Sequence, residues 1–483
     1  MITFIVSVSL LILGYIFFGR FVERYFGADP KRTTPAIRLE DGVDYKVMPK
    51  WKLYIIQFLN IAGLGPIFGA ILGAMYGPVA YIWIVIGCVF MGATYDYFSG
   101  MLSLRNDGMG LPSIIAKYLG KNAKILMLIF TALLLMAVGS SFVSGPADLI
   151  ASLTNSGKSI WLYVIFCYYI IATLVPIDKI IGKIYPIFGA MLFLMAFMVA
   201  IVMIYKGFSG DIHLTELTFD SIKNYHSDTP NNILIPMLFI VISCGAISGF
   251  HATQSPLMAR CMVNEKEGRG VFYGAMISEG IVTMIWATAA MAYFGGPEGL
   301  NSAAGLGKTP AIIVNEICNT WLGKVGAVIA IIGVVVCPIT TGDTAFRSLR
   351  LIIADALKYS QKPILKRIII TLPIFVVAYL ICTLDFSTIW KYVGIGNQVL
   401  AAVTLWACSV YLVTKGKNHL LLSIPATFIT FICVSYFMIA PNHNGGLHLS
   451  PTLSYIAGIA AATGAFIIFL VKSAKVKKGL KSV

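Results

Sequence analysis

Three ionisable side chains stand inside long apolar stretches of this chain, where they could handle protons: Asp96, His251 and Glu279. An ionisable group in a bilayer is costly and marks a pathway by default. An imidazole titrates near about pH 6.5, which suits proton transfer or contact with a carboxylate; its other use is packing. Glu279 has Ile277, Ile281 and Val282 beside it. Desolvation disfavours an ionised carboxyl there, which suits a group that takes up and releases a proton. The alternative is a carboxyl that stays protonated and braces two helices. Asp96 lies between Tyr95 and Tyr97; its simpler role is a helix-end acid paired to Arg105 or a neighbouring loop, and its other role is a share in the coupling. A second set of oxygens, Thr340, Thr341 and Asp343, could complete a cage for sodium or carry a proton, using carbonyls of an interrupted helix. Threonines in membrane helices also simply bond their own backbone.

The elements that must position these groups carry two interruptions. Gly63-Leu64-Gly65-Pro66, followed by Gly69, breaks one apolar segment; Ser243-Cys244-Gly245-Ala246, followed by Ser248-Gly249-Phe250-His251, breaks another 182 residues later, counted from Gly63 to Gly245. Backbone inside a bilayer must satisfy its own hydrogen bonds, so an unwound helix survives only where it lines a cavity or a site. The freed N–H groups of one half-helix attract carboxylates, and the freed carbonyls of the other attract cations. Asn60, Ala62, Gly63, Leu64, Gly65 and Pro66 would line one gap; Ser243, Cys244, Gly245, Ala246, Ser248, Gly249 and His251 would line the other. Glycines can instead just permit close helix packing, but two breaks at matching places in two halves favour a substrate site.

Of 483 residues, 58% are apolar and 12% charged, about half the charged share of a soluble protein. This predicts an all-α polytopic membrane protein with about thirteen spans: 2–19, 52–76, 79–104, 123–147, 160–177, 186–206, 232–258, 271–294, 323–343, 367–384, 388–413, 419–440 and 451–471. Alternating the loops from an outside N-terminus puts 30 of the 36 Lys and Arg residues on one side. The positive-inside rule then makes that side, and the C-terminus, cytoplasmic. The net charge of +15 is thus a topology signal and not a nucleic-acid surface; the expected partners are the lipid bilayer and a small-molecule substrate. The stretch 2–19 lacks a basic leader and a cleavage site and reads as a retained helix.

The spans divide into residues 1–50, an N-terminal helix and cytoplasmic linker; 51–206, a five-helix repeat; 207–231, an acidic outer loop; 232–413, a second repeat of inverted topology; and 414–483, a helix pair with a basic tail. A short outer helix should start at Thr309-Pro310. Residues 344–366, with Arg347, Arg350, Lys358 and Lys362 beside apolar residues, should lie along the cytoplasmic membrane face. Nine scattered cysteines read as packing residues, and His213, His226, His443 and His448 lack metal-ligand spacing. There is no phosphate loop for ATP and no nucleophile-base pair for an enzyme, and no cofactor is expected. A channel would need a continuous pore, and a sensor a signalling domain.

The runs CGAISGFHATQS (Cys244 to Ser255), NEKEGRGVFYGAMISEG (Asn264 to Gly280), IAGLGPIFG (Ile61 to Gly69) and GATYDYF (Gly92 to Phe98) closely resemble the carbon starvation protein A transporters, across nearly the whole membrane core. The resemblance implies a bacterial inner-membrane permease for peptides or pyruvate, working by proton symport, with the five-plus-five inverted repeat of the leucine-transporter fold. Asp96, Ser248, Gly249, Phe250, His251 and Glu279 stand where the family pattern expects them. Ile56-Gln57 occupies the places of a histidine pair found in many members, and Thr340-Thr341-Gly342-Asp343-Thr344 stands where many read Asp-Ala-Gly-Thr-Arg. By analogy of fold, an ion site maps to the carbonyls of Leu59 and Ala62 with Thr340 and Thr341. The expectation is a secondary transporter in which the breaks hold a small carboxylate or short peptide. His251 faces the carboxylate and Glu279 carries the coupling ion, a proton in preference to sodium.

Overall fold

The computed structural model describes residues 1–483 except 155, 175–180, 362, 384, 385, 443, 444, 482 and 483. Lys179, His443 and the ends of the predicted spans 160–177 and 367–384 lie outside the described residues. Among the described residues all regular structure is helical. Ten helices are long and apolar enough to cross a membrane, and a bent pair makes an eleventh; the chain is a multi-pass membrane protein. We label the main segments α1 (Ile2–Phe26), α2 (Lys50–Ala62), α3 (Gly65–Ala74), α4 (Val79–Arg105), α5 (Lys121–Thr154), α6 (Lys158–Leu174), α7 (Ile181–Ser209), α8 (Leu234–Val241), α9 (His251–Ala259), α10 (Glu265–Tyr293), α11 (Pro310–Ala356), α12 (Ile364–Ile381), α13 (Phe386–Thr414), α14 (Leu420–Ile439) and α15 (Pro451–Lys481). The predicted span 52–76 is the bent pair α2 and α3, at 56°. The span 232–258 is the pair α8 and α9, separated by residues 242–250.

Helix α10 forms the axis of the assembly. Its most apolar window is 89% buried, against 28% in α1 and 22% in α15, so α10 is enclosed by protein while the other two face lipid. It meets α1, α2, α3, α4, α7 and α11.

Two expectations about the flanks divide. Thr309 accepts from the Ile312 amide and Pro310 occupies the first turn, as the sequence predicts, but the helix they start runs through a kink at Gly323 into α11. The stretch 344–366 does not lie along the membrane face. Helix α11 continues to Ala356, and Arg347 and Arg350 are fully buried. The partner that makes this tolerable comes from the linker before α2: Asp44 Oδ1 lies 3.3 Å from Arg347 Nη1 and 3.4 Å from Arg350 Nη2. The same linker is stitched to the next elements by Met48 N donating to the Cys261 carbonyl and by Tyr45 Oη donating to Asp107 O. Burial alone would raise the Asp44 carboxyl. The guanidinium groups of Arg350, Arg347 and Arg260 outweigh it and hold the group below the ordinary aspartate value.

The breaks follow from local sequence. Gly63 adopts φ +48°, ψ −142°, a conformation open to glycine and strained for other residues, and ends α2; Pro66 sits in the first turn of α3. The two breaks touch: a Cβ placed on Gly65 would come 2.2 Å from the Cys244 Cβ. Orphaned carbonyls in the second break are capped by side chains from other spans. Trp83 Nε1 donates to Ile242 O (3.0 Å), Gln398 Nε2 to Phe239 O and Ile247 O (3.2 and 3.1 Å), and Tyr95 Oη to Gly249 O (3.1 Å). Gly249 N donates to Asn397 O (3.0 Å). In the first break, Thr341 Oγ1 donates to Leu59 O (2.7 Å) and Cys337 Sγ to Gly63 O (3.2 Å).

Two variants test this architecture. A Cβ on Gly249 would lie 2.2 Å from Asn397 O and 2.6 Å from Ala401 N, both backbone atoms. Gly249→Ala should therefore lose about 1–3 kcal/mol or more and melt earlier, whereas Gly305→Ala, which meets nothing within 4 Å, should stay within about 0.5 kcal/mol; equal melting temperatures of the two would contradict the clamp. Asp44→Asn should destabilise by about 3–5 kcal/mol, because it removes the carboxylate that faces two buried guanidinium groups. The folded Asp44 value lies below the unfolded one, so its contribution is present above about pH 4 and is lost as pH falls through the folded value. The gap between wild type and Asp44→Asn in thermal melts should close in acid.

Candidate coupling and substrate site

The three ionisable residues meet. Asp96 follows a π-turn, Gly87–Gly92, in α4; His251 is the first residue of α9; and Glu279 lies fourteen residues into α10, about 21 Å from its start at 1.5 Å per residue, deeper than the predicted span start at 271 implies. His251 Nδ1 is 3.0 and 3.2 Å from the two Asp96 oxygens, and its Nε2 is 3.5 Å from Glu279 Oε2. All three side chains are 0% exposed. Asp96 therefore does not pair with Arg105, as its helix-end position predicts: Arg105 instead grips Glu265 through two bonds of 3.0 and 2.8 Å. The α9 entry brings the imidazole within hydrogen-bond distance of Asp96, nearer than the end of α4 brings its own arginine. Among the described residues no lysine or arginine forms an ion pair with Asp96 or Glu279. The imidazole stands between the two carboxyls, and each of its nitrogens faces one of them.

Around this chain lie buried polar atoms that find no hydrogen-bond partner among the described residues: both amide atoms of Gln57 and of Asn60, Trp286 Nε1, His251 Nε2 and both Glu279 oxygens. Such groups are rare in proteins, and each calls for a partner such as water, an ion or a ligand. Glu279, Thr283 and Trp286 share one face of α10, and Thr283 lies directly under the second break, 2.1 Å from where a Gly245 Cβ would stand. Gln57 and Asn60, three residues apart, share a face of α2. The opposite face packs on α7, with Tyr54 and Phe58 stacking on Phe193 and Ile55 over Gly189. The amide face is thus turned toward α9, α10 and α11, which also pack on α2. The sequence reading included Asn60 but noted Gln57 only as a departure from the family and omitted Trp286; a polar pair at helical spacing in an apolar helix was the available signal.

The other predicted residues separate into those at the breaks and those drawn elsewhere. Leu64, Gly65 and Pro66 form the turn into α3, with the Phe68 amide on Leu64 O (2.7 Å). Ser243 O accepts from the Ala246 and Ile247 amides (3.1 and 2.7 Å), and Ser248 O from His251 N (3.2 Å). The Ala246 carbonyl presses on Gly92, 2.0 Å from a Cβ there. Of the proposed oxygen cage, Thr341 and Leu59 are brought together. Thr340 Oγ1 donates to Cys337 O on its own helix (2.7 Å), the Ala62 carbonyl accepts from neither threonine, and Asp343 Oδ2 accepts from Tyr185 Oη (2.6 Å). His213, His226 and His448 form no metal-ligating cluster among the described residues.

A family model described as Carbon starvation protein CstA matches residues 1–145, 130–327 and 296–436. An uncharacterised membrane protein of Haemophilus influenzae is 42% identical over 355 residues, covering 64% of this chain and 95% of that one. The peptide transporter CstA of Escherichia coli is 24% identical, covering 89% of this chain and 79% of its own. The pyruvate/proton symporter BtsT of the same organism is also 24% identical, covering 59% and 48%. Among solved structures, a manganese transporter of Eremococcus coleocola shares the fold at a TM-score of 0.50 and 14% identity, covering 91% of this chain and 99% of that one. The resemblance carried by the motifs around His251 and Glu279 is borne out across the membrane core, and the chain belongs to the carbon starvation protein CstA family.

Proposed function

We propose that this chain is a secondary active transporter that brings a small monocarboxylate such as pyruvate into a bacterial cell together with a proton. The observation that carries this reading is the buried Asp96–His251–Glu279 chain at the meeting point of two broken helices. Alternating access needs a site near mid-membrane between two halves, and contact between the breaks at Gly65 and Cys244 supports a five-plus-five inverted repeat of thirteen crossings with the N-terminus outside and the C-terminus cytoplasmic. Substrate lies between Asn60 to Gly69 and Ser243 to His251, with its carboxylate toward His251 and the half-helix N-termini, and Gln57 and Trp286 supply further donors.

Charge favours proton coupling. An uncompensated charge in a dry site costs several kcal/mol, so the site stays close to neutral. An imidazolium between one ionised and one protonated carboxyl is neutral; adding a monoanion keeps it so only if one proton accompanies it. Glu279, with both oxygens unpartnered, is the group that receives it, and His251 relays it toward Asp96. Sodium coupling has less support, since the Thr341 hydroxyl already donates to the Leu59 carbonyl, the contact an ion would have to displace. Two relatives named as peptide transporters and one named as a pyruvate symporter keep short peptides as the competing substrate, and a zwitterionic peptide would need no proton for charge balance.

The test is uptake of labelled pyruvate, alanine and dipeptides into proteoliposomes under separate proton and sodium gradients. Pyruvate should accumulate above equilibrium with an inward proton gradient and not with sodium alone. Glu279→Gln should abolish gradient-driven accumulation while leaving pyruvate exchange measurable. Unchanged accumulation in that variant would remove Glu279 from the mechanism, and downhill flux alone would identify a channel.

A further inference from the structure

A second cavity lies outside this site, between the accessory helix α1 and the core. It has a volume of about 470 Å³ and is lined by Ile12, Tyr15, Lys50, Trp51, Tyr54, Gly270, Gly274, Ile277, Ser278 and Ile281, a size within the range of ligand pockets. Its side walls are apolar, Ile12 of α1 on one side and Ile277 and Ile281 of α10 on the other. Its rim is basic: Lys50 opens α2, Lys52 stands over the Trp51 ring at 5.5 Å, and Arg269 over the Tyr15 ring at 5.5 Å. The acids near the rim are Glu23, which holds Arg269 at 3.4 Å and Lys266 at 3.5 Å, and Glu267, which acts on Lys50 electrostatically. Among the described residues Lys50 forms no ion pair within 4.0 Å with either.

The walls are built to keep this space open. Helix α1 widens into a π-turn at Gly14–Phe18 and α10 into another at Arg269–Gly274, and such turns recur at functional sites. Gly270 and Gly274 leave room where a Cβ would lie 2.9 Å from Lys50 Cε and 3.2 Å from Tyr15 Cε2. Trp51 and Ile12 are 55% and 45% exposed, so the cavity opens sideways at the flank of the helices, where the surrounding medium is lipid and not water. The floor is a hydroxyl pair, Tyr54 Oη and Ser278 Oγ at 2.5 Å, which ties α2 to α10 one residue from Glu279.

We propose that this groove holds one anionic phospholipid of the cytoplasmic leaflet, its phosphate on Lys50 and one acyl chain laid between Ile12 and the Ile277–Ile281 ridge. Charge complementarity selects the occupant: an apolar slot open to the bilayer takes an acyl chain, and a cation at its rim takes a phosphate headgroup with a net negative charge, as basic pockets between membrane helices do. Seated there, the lipid backs the Tyr54–Ser278 contact and holds the first half-helix of the break against the helix that carries Glu279.

The experiment uses the full chain purified in detergent and supplied with phosphatidylglycerol or phosphatidylcholine of identical acyl chains, read by native mass spectrometry and thermal melts. Wild type should retain one phosphatidylglycerol about fivefold better than phosphatidylcholine, from one cation at the membrane surface, and should melt later with it; glycerol phosphate should not compete. Lys50→Glu should erase the headgroup preference, and Ile281→Trp, which fills the slot, should reduce retention of both lipids, each with unchanged helix content by circular dichroism. Equal retention of the two lipids by wild type, a preference that survives Lys50→Glu, or undiminished retention in Ile281→Trp would overturn the proposal. Transport failure in the proteoliposome assay would leave this binding result unaffected, so the two readings fail separately.

Discussion

The structure depends on one constraint, the hydrogen bonding of unwound backbone inside a bilayer. The carbonyls freed at the two breaks, those flanking and within residues 242–250 and that of Leu59, are met by four side chains from distant spans. Trp83, Tyr95 and Gln398 cap the second break, and Thr341 caps the first. Because these donors come from α4, α11 and α13, each cap also fixes where a helix stands. The glycines follow from the same requirement: backbone can approach this closely at Gly65, Gly92, Gly245 and Gly249 only where no Cβ intervenes. Small residues in the breaks are therefore the condition under which the caps reach their carbonyls.

Once the breaks are held, the chemistry is a matter of charge. The α9 entry drops an imidazole between two carboxyls, and the low dielectric makes each of the three groups dependent on the protonation of the others. The amides of Gln57 and Asn60 and the indole of Trp286 place neutral hydrogen-bonding groups, without a partner among the described residues, around that charge. Toward the C-terminal end of α11 the opposite solution is used: Arg347 and Arg350 carry permanent guanidinium charge, and the Asp44 carboxylate from the linker meets them.

Much of this was legible in the chain. Glycines in membrane-length apolar segments located both breaks, and the rarity of buried charge picked out His251 and Glu279, because desolvation penalises such residues so heavily that few are kept without use. The partner of Asp96 was not legible: it lies 155 residues away, and no local pattern encodes which cation folding will bring closest. Arg347 and Arg350 were misread for the same reason. Their spacing fits a surface helix as well as a buried one, and what decides is Asp44, 303 residues from Arg347. The Gln57–Asn60 pair at helical spacing marks a polar face, but not what that face meets until the helix is packed.

The π-turn at Gly87–Gly92 has a kinetic meaning. Such a turn is one surplus residue accommodated in a helix, and it can travel along the helix as a dislocation travels through a crystal. Each residue it passes is turned by about 100° about the axis, since 3.6 residues complete a turn, while hydrogen bonds are exchanged one at a time. Asp96 stands four residues beyond its present end, so a short migration of this defect would swing the carboxylate off His251 and return it. The helix would stay folded while the Asp96–His251 contact opened and closed.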